Sequence, residues 1–302
     1  MNYAAQQWAT DLAFEVIDKI KGRKFLVPCG FSGLYDPVFK DYFKKLPSIM
    51  KKYDASLYLS SDYRDINFAR NNKIPHTYIV PNGAGEDEFT QVYAKDVRNE
   101  IGIPKDSFLI LLVGSHTGVK GHKEAIEIFK RSNIRASTLL IVGNDLGGGC
   151  TKWCKQQASL WRFNLAMRGQ KKRLLVKDIS RIQTVAAYKS ADLFLFPSNI
   201  EASPLVLFEA MAAKIPFLTA DVGNSAEIIK WSAGGELLPT DKDDAGFSHV
   251  RIAESARSLE ALYNSQQKRN ALAKNGHAAW KKKFTWETIA KEYESIYKGT
   301  GK

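Results

Sequence analysis

The stretch that decides the fold is FPSNIEASPLVLFEAMAAKIPFLTADVGNSAEII, residues 196–229. The apolar run that leads into it, DLFLFPS (192–198), predicts a buried strand, and PFLTA (216–220) predicts the next strand. Between them, Ser203 is suited to cap a helix and Pro204 to occupy its first position, ahead of the apolar segment LVLFEAMAA. A strand, a loop, a helix and a second strand in this order predict a parallel β-α-β unit.

The same alternation extends over most of the chain. Short runs rich in Val, Ile, Leu and Phe are separated by amphipathic segments of helical length, which predicts parallel sheets covered by helices on both faces. Further strands are predicted at KFLVPCG (24–30), ASLYLSS (55–61), HTYIVP (76–81), FLILLVG (108–114), TLLIVG (138–143), RLLVKD (173–178) and GELLP (235–239). Several of these runs end in Gly, Pro, Ser or Asn, as strands that feed ligand-binding loops do.

Turn residues and acids between Pro81 and Pro104 predict a boundary between two lobes. We expect a first lobe over residues 1–95, a second over 96–285, and a final helix over 286–302 that returns towards the first lobe. Six predicted strands make the second lobe a complete nucleotide-binding domain, whereas the first has only three. The first lobe is therefore expected to be incomplete: either the chain is a fragment, or a partner chain supplies the missing part.

The charge of the chain favours an anionic ligand. The 302 residues carry a formal net charge of +12, and 151–200 hold ten Lys and Arg against two Asp. A nucleotide diphosphate and an anionic membrane surface would both fit, whereas the lack of a recognised module argues against nucleic acid. No apolar run is long enough to span a bilayer and the N-terminal segment is unlike a secretory signal, so we expect a cytoplasmic protein, with peripheral membrane contact left open.

Three cysteines, Cys29, Cys150 and Cys154, are too few for a disulfide framework and predict reduced thiols. Cys150 and Cys154 would be neighbours on a helix, but no Cys or His pair follows at the spacing of a zinc site. A D-x-D motif at Asp241 and Asp243 is expected to be an exposed acidic loop. We therefore predict no metal ligands.

The helix that follows Pro204 has the features of an anion site. The amides of Leu205 and Val206 have no intrahelical partner and lie at the positive end of the helix dipole, which suits a diphosphate. Glu209 lies roughly 7.5 Å further along the axis and could accept hydrogen bonds from a ribose, while Glu201 could accept them from a sugar. The alternative is an ordinary amphipathic helix with both acids in solvent.

The segment from Glu201 to Ala212, EASPLVLFEAMA, resembles the E-x7-E donor-site signature of the retaining family 4 glycosyltransferases, EGFPLVLLEAMA. The resemblance implies an α/β fold of the GT-B type, with two Rossmann-like lobes, the first truncated and the second a complete nucleotide-sugar-binding lobe. It implies that Glu201 contacts the hydroxyls of the donor sugar, that Glu209 binds the ribose, and that the start of the helix holds phosphate. Ala202 and Ser203 replace the usual Gly and aromatic residue, which leaves the sugar open.

A second segment, LLVGSHTGVKGHKEAIEIF (111–129), resembles the phosphate-neutralising loop of the same family. The family uses an Arg after the strand Gly and a Lys before a later Gly. Lys120 matches the second position, but Ser115 stands at the first, so one expected cation is missing. His116 or Lys123 are candidates to replace it.

The resemblance as a whole gives the predicted site. Lys120 and Glu201 are the predicted catalytic residues, and the donor-binding set is Gly114, Ser115, Lys120, Lys177, Glu201, Ser203, Leu205, Val206 and Glu209. Gly30, Ser32 and Gly33, in CGFSG, are the acceptor-side candidates. A strand followed by Pro-Asn-Gly (78–83) matches the family's lobe junction.

The expected activity is transfer of a sugar from a nucleotide-diphosphate sugar to a hydroxyl of a glycan or lipid-linked acceptor, with retention of configuration and without a metal or other cofactor. The alternative is a non-catalytic module that binds a nucleotide-sugar or a membrane. A dinucleotide oxidoreductase is disfavoured, because the glycines of GNDLGGG (143–149) do not have the G-x-G-x-x-G spacing.

Overall fold

The computed structural model describes residues 1–93, 95–145, 149–161, 163–164 and 168–299, which divide into two units. Unit 1 comprises Met1–Asn82, Glu201–Pro204 and Trp286–Lys302, and unit 2 comprises Gly83–Ile200 and Leu205–Thr285. The chain therefore crosses between the units four times, and two of these crossings lie on either side of Glu201–Pro204.

The secondary structure alternates as the sequence predicts. The strands are β1 (Asn2–Tyr3), β2 (Phe25–Val27), β3 (Ala55–Tyr58), β4 (Thr77–Ile79), β5 (Phe108–Val113), β6 (Ser137–Val142), β7 (Lys172–Lys177), β8 (Leu193–Phe196), β9 (Phe217–Thr219), β10 (Gly235–Leu237), β11 (Thr240–Lys242) and β12 (Ser248–Val250). The α-helices are α1 (Trp8–Glu15), α2 (Lys40–Met50), α3 (Arg64–Asn71), α4 (Glu86–Thr90), α5 (Val97–Ile101), α6 (His122–Arg131), α7 (Thr151–Trp161), α8 (Arg181–Ser190), α9 (Leu205–Ala212), α10 (Ser225–Ser232), α11 (Ile252–Asn264), α12 (Gln266–Lys283) and α13 (Trp286–Lys298).

Each of the nine predicted strands is confirmed, and three further strands were not predicted. β1 adds a fourth parallel strand to the sheet of unit 1, in the order β1-β2-β3-β4. β11 and β12 form a separate antiparallel pair in unit 2. The sequences of these strands are Asn-Tyr, Thr-Asp-Lys and Ser-His-Val, so none of them contains an apolar run that the pattern could reveal.

Unit 1 buries both faces of its sheet. Side chains alternate along each strand, so Leu26 packs into one apolar cluster while Phe25 and Val27 pack into another. The second cluster is completed by Ile289 and Ile296 of α13, which are almost fully buried. The final helix therefore forms part of the core of unit 1.

Unit 2 contains a six-stranded parallel sheet in the order β10-β9-β8-β5-β6-β7. Its strands are apolar on both faces: Leu109 and Leu111 pack into one cluster, Ile110 and Leu112 into the other. The strand order reverses between β5 and β8, and the loops that leave the carboxyl ends of these two strands flank that switch point, where ligands bind in open α/β sheets.

Two basic segments, 171–173 and 281–283, differ in their surroundings. Lys172 is buried, and its Nζ donates hydrogen bonds to the carbonyls of Phe129 and Ser132 at the end of α6. Residues 281–283 are exposed in the last turn of α12, where positive charge complements the helix dipole. Among the described residues, no helix combines the length and the apolar composition that a membrane crossing requires.

Candidate functional site

The loop that follows β5, residues 114–121, carries the predicted catalytic lysine. Gly114 continues the strand, because its amide donates to the carbonyl of Val142 (2.9 Å). A Cβ placed on Gly114 would lie 3.3 Å from Cβ of Lys120, so the base of the Lys120 side chain lies beside this glycine. Ser115 is half-buried, and its carbonyl accepts from the amide of Thr117 (2.8 Å). Gly114, Ser115 and Lys120 therefore belong to one compact loop.

The same loop packs against the loop that follows β8. The carbonyl of Val119 accepts hydrogen bonds from the amide of Asn199 (2.9 Å) and from Oγ of Ser198 (3.1 Å). Gly121 has φ 74°, and a Cβ there would lie 2.1 Å from the carbonyl oxygen of Pro197. The residues on both sides of Lys120, Val119 and Gly121, therefore contact the loop after β8 at the switch point of the sheet.

The start of α9 differs from the predicted cap by one residue. The helix begins at Leu205, which places Pro204 in the capping position and leaves Ser203 outside it. Oγ of Ser203 is buried and has no hydrogen-bond partner among the described residues, so the prediction that Ser203 caps the helix is wrong. A side chain two residues before the first helical residue does not reach the amides that a cap satisfies. Instead, the carbonyl of Ser203 accepts from Nδ2 of Asn82 (3.0 Å).

The faces of α9 are unequal. Phe208 and Met211 are buried in the core of unit 2, as an amphipathic helix requires. Leu205 is 46% exposed and Val206 is half-buried, so the first turn of the helix lies near the surface. The geometry of an α-helix leaves the amides of this turn without an intrahelical carbonyl.

Glu209 is held by an arginine that the sequence did not reveal. Oε1 of Glu209 lies 2.7 Å from Nη2 of Arg181, and the Glu209 side chain is only 14% exposed. Arg181 also binds Glu88 with two hydrogen bonds, from Nε (3.0 Å) and Nη2 (2.6 Å). These carboxylates, Glu88 foremost, raise the pKa of Arg181. The alternative that leaves Glu209 in solvent is therefore wrong.

A buried tyrosine, Tyr188, lies within electrostatic reach of this network. Burial raises the pKa of Tyr188 well above its ordinary value, and the negative charge of Glu209 adds to that rise. No local sequence pattern indicates the network, because Arg181 and Glu88 lie far from Glu209 along the chain. A capping box formed by Ser180 and Gln183 fixes the first turn of α8, in which Arg181 lies.

Glu201 belongs to unit 1, where its neighbour Ala202 packs against Gly30. Gly30 has φ 102°, and a Cβ there would lie 2.6 Å from Cβ of Ala202. Its amide donates to Oδ2 of Asp65 (2.8 Å). Burial raises the pKa of Asp65 to about 6, although hydrogen bonds from the amides of Ile66 and Gly30 oppose the rise. Two features therefore favour glycine at position 30: its positive φ and the close contact with Ala202.

Ser32 and Gly33 lie in the same loop after β2. The carbonyl of Ser32 accepts from Nη1 of Arg64 (3.3 Å), and the amide of Gly33 donates to Oε1 of Gln6 (3.2 Å). A Cβ on Gly33 would lie 2.6 Å from the ring of Phe39. The contact with Phe39 accounts for Gly33 by packing, and the use of the loop for an acceptor stays a prediction.

Lys177 lies at the carboxyl end of β7, the edge strand of the unit 2 sheet. It pairs with Val142, and its carbonyl accepts from the amide of Gly143 (3.1 Å). Two strand spacings separate β7 from β5, which is about 10 Å. The structure therefore places Lys177 on the same edge of the sheet as Lys120, but not in the same loop pair.

The D-x-D motif spans the end of β11: Asp241 lies in the strand, and Asp243 lies in the turn that leads to β12. Both carboxylates are exposed and have cationic or ring-nitrogen partners: Asp241 contacts Arg251 (3.0 Å) and Asp243 contacts Nε2 of His249 (2.8 Å). The predicted exposure is confirmed. The predicted loop conformation is correct for Asp243 and wrong for Asp241, because the short polar strand β11 has no apolar alternation.

The substitutes proposed for the missing arginine have other neighbours. Nζ of Lys123 lies over the ring of Trp153. His116 is 1% exposed, and burial lowers its pKa, so the ring is neutral at neutral pH and supplies no cation. The glycine-rich run 143–149 includes Leu146, Gly147 and Gly148, which lie outside the described residues.

Two histidines and a cysteine meet beside the Lys120 loop. Nδ1 of His116 lies 3.4 Å and Nδ1 of His122 3.1 Å from Sγ of Cys150. All three side chains are buried, and they are the one group found among the described residues whose ligand atoms could hold a metal ion. The sequence analysis considered only residues that follow the cysteines and so missed these histidines, which precede Cys150 at a spacing that no common zinc motif has. The absence of metal ligands stays a prediction.

Comparison with known proteins assigns the family. Residues 94–279 match the family model described as "Glycosyl transferases group 1". The chain is 29% identical over 207 residues to an uncharacterized glycosyltransferase of Methanocaldococcus jannaschii, which covers 67% of this chain and 47% of that protein. It is 24% identical over 253 residues to a lipopolysaccharide 1,2-N-acetylglucosaminetransferase of Salmonella typhimurium, which covers 81% and 62%.

Solved structures agree on the fold. Sucrose-phosphate synthase from Thermosynechococcus elongatus superposes with a TM-score of 0.74 at 20% identity, over 95% of this chain and 70% of that one. Anabaena HepE in complex with UDP superposes with a TM-score of 0.78 at 16% identity, over 98% and 78%. These likenesses establish the GT-B type of α/β fold.

The chain spans about half the length of the first curated relatives, 47% and 50%. The family match nevertheless covers more than half of this chain and includes β5, the Lys120 loop and α9. The chain belongs to the glycosyl transferases group 1 family.

Proposed function

We propose that this protein transfers a sugar from a nucleotide-diphosphate sugar to an acceptor hydroxyl with retention of anomeric configuration. The observation that carries the proposal is the junction of the two loops at the switch point. The Val119 carbonyl joins the Lys120 loop to Ser198 and Asn199, and the chain runs from there into the motif and α9. Such a crevice is where α/β sheets bind nucleotides.

Each part of the donor has a proposed partner. The amides of Leu205 and Val206 and the ammonium of Lys120 would bind the diphosphate, because unpaired helix amides and a cation both favour anions. Glu209 would bind the ribose hydroxyls, with Arg181 fixing its orientation at 2.7 Å. Glu201 would bind hydroxyls of the donor sugar. HepE, similar in fold, has been crystallised with UDP and with UDP-glucose, which supports a donor of this class.

Transfer on this proposal depends on electrostatics. The acceptor hydroxyl attacks the anomeric carbon from the face that the nucleotide leaves, the glycosidic carbon–oxygen bond to phosphate breaks, and the acceptor proton passes to the departing phosphate. Negative charge grows on that phosphate in the transition state, so Lys120 and the start of α9 stabilise it more than the ground state. We propose that no divalent cation is needed at the diphosphate, since these groups supply the positive charge.

The acceptor is proposed to be a glycan or a lipid-linked glycan. Relatives act in lipopolysaccharide and capsular polysaccharide synthesis by their printed names, and the exposed residues 281–283 add positive charge that an anionic bilayer attracts. Sedimentation with liposomes tests the membrane contact. Binding that requires anionic lipid and weakens with salt supports it, and equal sedimentation with neutral liposomes overturns it.

Calorimetry with UDP-, GDP- and ADP-sugars tests the donor site. We expect one of these classes to bind the wild-type chain, and Glu209→Gln to weaken that binding about 10-fold or more, as loss of hydrogen bonds to a charged group does. Glu254→Gln, on α11 and paired with Arg251, is the charge-matched control and should bind as the wild type does. Equal affinity of Glu209→Gln and the control would remove Glu209 from the site.

Turnover separates the enzyme from a binding module. With the donor that binds, product formation and its anomeric configuration are followed by NMR, with and without added Mg²⁺ or Mn²⁺. A product that retains the donor configuration at equal rates in both conditions supports the proposal. Inversion or a strict requirement for the added ion contradicts the mechanism, and binding without turnover favours the non-catalytic module.

A further inference from the structure

We propose that His116, His122 and Cys150 form a binding site for a zinc ion, which ties both ends of the Lys120 loop to the start of α7. The site is independent of the transferase proposal, because none of its three residues is assigned to the sugar donor. All three are described, buried, and lie in unit 2.

The distances suit coordination of one ion. Zinc binds imidazole nitrogen at about 2.05 Å and thiolate sulfur at about 2.3 Å, so a tetrahedral ion holds these atoms about 3.6 Å apart. The measured separations from Sγ of Cys150 are 3.1 Å to Nδ1 of His122 and 3.4 Å to Nδ1 of His116. The two rings are stacked with centroids 4.3 Å apart, which brings both Nδ1 atoms to the same sulfur. Only a small expansion admits the ion.

The second nitrogen of His122 has the partner that a zinc ligand usually has. Nε2 lies 3.1 Å from the carbonyl oxygen of Gly114. A carbonyl can only accept, so Nε2 carries the proton and Nδ1 presents its lone pair towards Cys150. A hydrogen bond from the other ring nitrogen to a backbone carbonyl is the outer-shell contact that orients metal-binding histidines.

Hydrogen bonding gives the metal-free cluster a different arrangement. The Cys150 thiol has one proton, which the bare Nδ1 of His122 is placed to receive, and its sulfur can accept a hydrogen bond from Nδ1 of His116. Nε2 of His116 is buried without a hydrogen-bond partner with or without an ion. Zinc would instead take the lone pairs of both Nδ1 atoms and the thiolate, with release of the thiol proton to solvent.

The fourth position is left to a ligand from outside the chain. Cys154 lies one helical turn after Cys150 on α7 and is fully buried, but it is outside the group of ligand atoms that lie within 4.8 Å of one another. Zinc commonly binds three protein ligands with a water molecule in the fourth position. Cys29 lies in unit 1, outside the cluster, and provides a matched thiol control.

The position of the site explains what the ion would do. His116 lies near the start of the loop 114–121 and His122 directly after its end, while Cys150 precedes α7. The loop contains Gly118 and Gly121, both with positive φ. Glycine has more backbone conformational freedom than other residues, and an ion that binds the loop would restrict it. An ion that joins its ends would fix the loop that presents Lys120.

Titration of the full-length, reduced, metal-free chain with Co²⁺ tests the proposal, because cobalt replaces zinc and shows a thiolate charge-transfer band in the near ultraviolet. We expect about one Co²⁺ per chain with this band, displaced by Zn²⁺. Cys150→Ser should lose the band and His122→Gln should weaken binding by more than the about 10- to 100-fold typical of outer-shell changes. Cys29→Ser and His249→Gln should bind as the wild type does.

Circular dichroism of each variant shows whether it folds, and the wild-type titration stands whatever the variants do. A wild-type chain that binds no Co²⁺ with a thiolate band overturns the proposal. A band that persists in folded Cys150→Ser, or that Cys29→Ser loses equally, overturns it as well.

Discussion

Arg181 determines how Glu209 is presented. Its guanidinium contacts Glu88 through two nitrogens and Glu209 through one, so one positive charge faces two negative ones. The set carries a net negative charge next to a buried tyrosine. A further hydrogen-bond donor at Glu209, such as a ribose hydroxyl, would therefore stabilise this negatively charged network.

Replacement of Lys120 tests the transition-state role of this side chain. We expect Lys120→Ala to lower kcat/KM by roughly 10²- to 10³-fold, or about 3 to 4 kcal/mol, because a preorganised donor to a developing negative charge is lost. Steady-state kinetics with the donor that binds measures the change. Lys130→Ala removes a charge at the far end of α6, where Lys130 pairs with Glu127, and should stay within a factor of two or so of the wild type. An equal loss of kcat/KM in both variants would show that the activity depends on the net charge of the protein and not on the position of Lys120.

Asp65 makes the stability of unit 1 depend on pH. Its pKa of about 6 in the folded chain exceeds its ordinary value of 3.8. Between these values the folded chain holds more protons than the unfolded chain, so the free energy of unfolding decreases as pH rises from about 4 to about 6, by about 3 kcal/mol for two pKa units. Asp65→Asn removes the titration and should flatten this part of the profile. Chemical denaturation across this range measures it.

The comparison requires a carboxylate that is not buried. Asp41→Asn, at an exposed position in the first turn of α2, should keep the wild-type slope. A slope that Asp65→Asn leaves intact would show that Asp65 titrates normally in the folded chain.

At the scale of elements, the loop 114–121 contains two glycines that differ in the space available for a side chain. Gly118 and Gly121 both have positive φ, but a Cβ on Gly118 meets open space and a Cβ on Gly121 meets the carbonyl of Pro197 at 2.1 Å. Gly118→Ala should cost about 1 kcal/mol from backbone strain alone. Gly121→Ala should cost about 3 kcal/mol more, because the loop must leave β8.

Thermal unfolding and donor calorimetry measure both glycine variants. Weaker donor binding in Gly121→Ala than in Gly118→Ala is expected if contact between the two loops positions Lys120. Equal affinity would show that the loop does not need this contact to bind the donor.

The elements that could be predicted are those with a strong apolar period. β5 and β6 are six-residue strands that each contain four consecutive buried aliphatic side chains, and the sequence predicts them within a residue or two. β1 has two residues and β11 has the sequence Thr-Asp-Lys, so neither has a period to detect. The cap of α9 was misplaced by one residue, because Ser-Pro is typical of the start of a helix but does not define the residue at which the helix begins.

The site was predictable only where its parts adjoin in sequence. The motif from Glu201 to Glu209 and the loop around Lys120 are local and resemble a known signature. Arg181 reaches Glu209 across the fold, and Cys150 reaches His116 and His122 across 28 to 34 residues. Contacts of this kind depend on strand order, which hydrophobic patterning does not specify.

At the scale of the whole molecule, α13 belongs to the core of unit 1. Ile289→Ala should destabilise that unit by about 2 to 5 kcal/mol, as loss of a buried aliphatic side chain does. Because Ile289 packs with Phe25, Val27 and Leu57, hydrogen exchange should accelerate in β2 and β3. Exchange in β5 and β6, in unit 2, should change less. Mass spectrometry of exchanged peptides measures this difference.

A surface change on the same helix provides the control. Lys291→Ala removes an exposed ion pair with Glu287 and should leave exchange in β2 and β3 almost unchanged. Uniform acceleration in both units after Ile289→Ala would show that the two units unfold as one.

The division of unit 1 among three chain segments has a consequence for synthesis on the ribosome. All the strands of unit 2 have been translated once residue 250 has been added, so its sheet can assemble early. The face of unit 1 formed by Phe25, Val27 and Leu57 stays uncovered until α13 emerges. A nascent chain with exposed apolar strands is prone to aggregate. Translation speed through residues 251–285 therefore sets how long this half of the protein depends on chaperones.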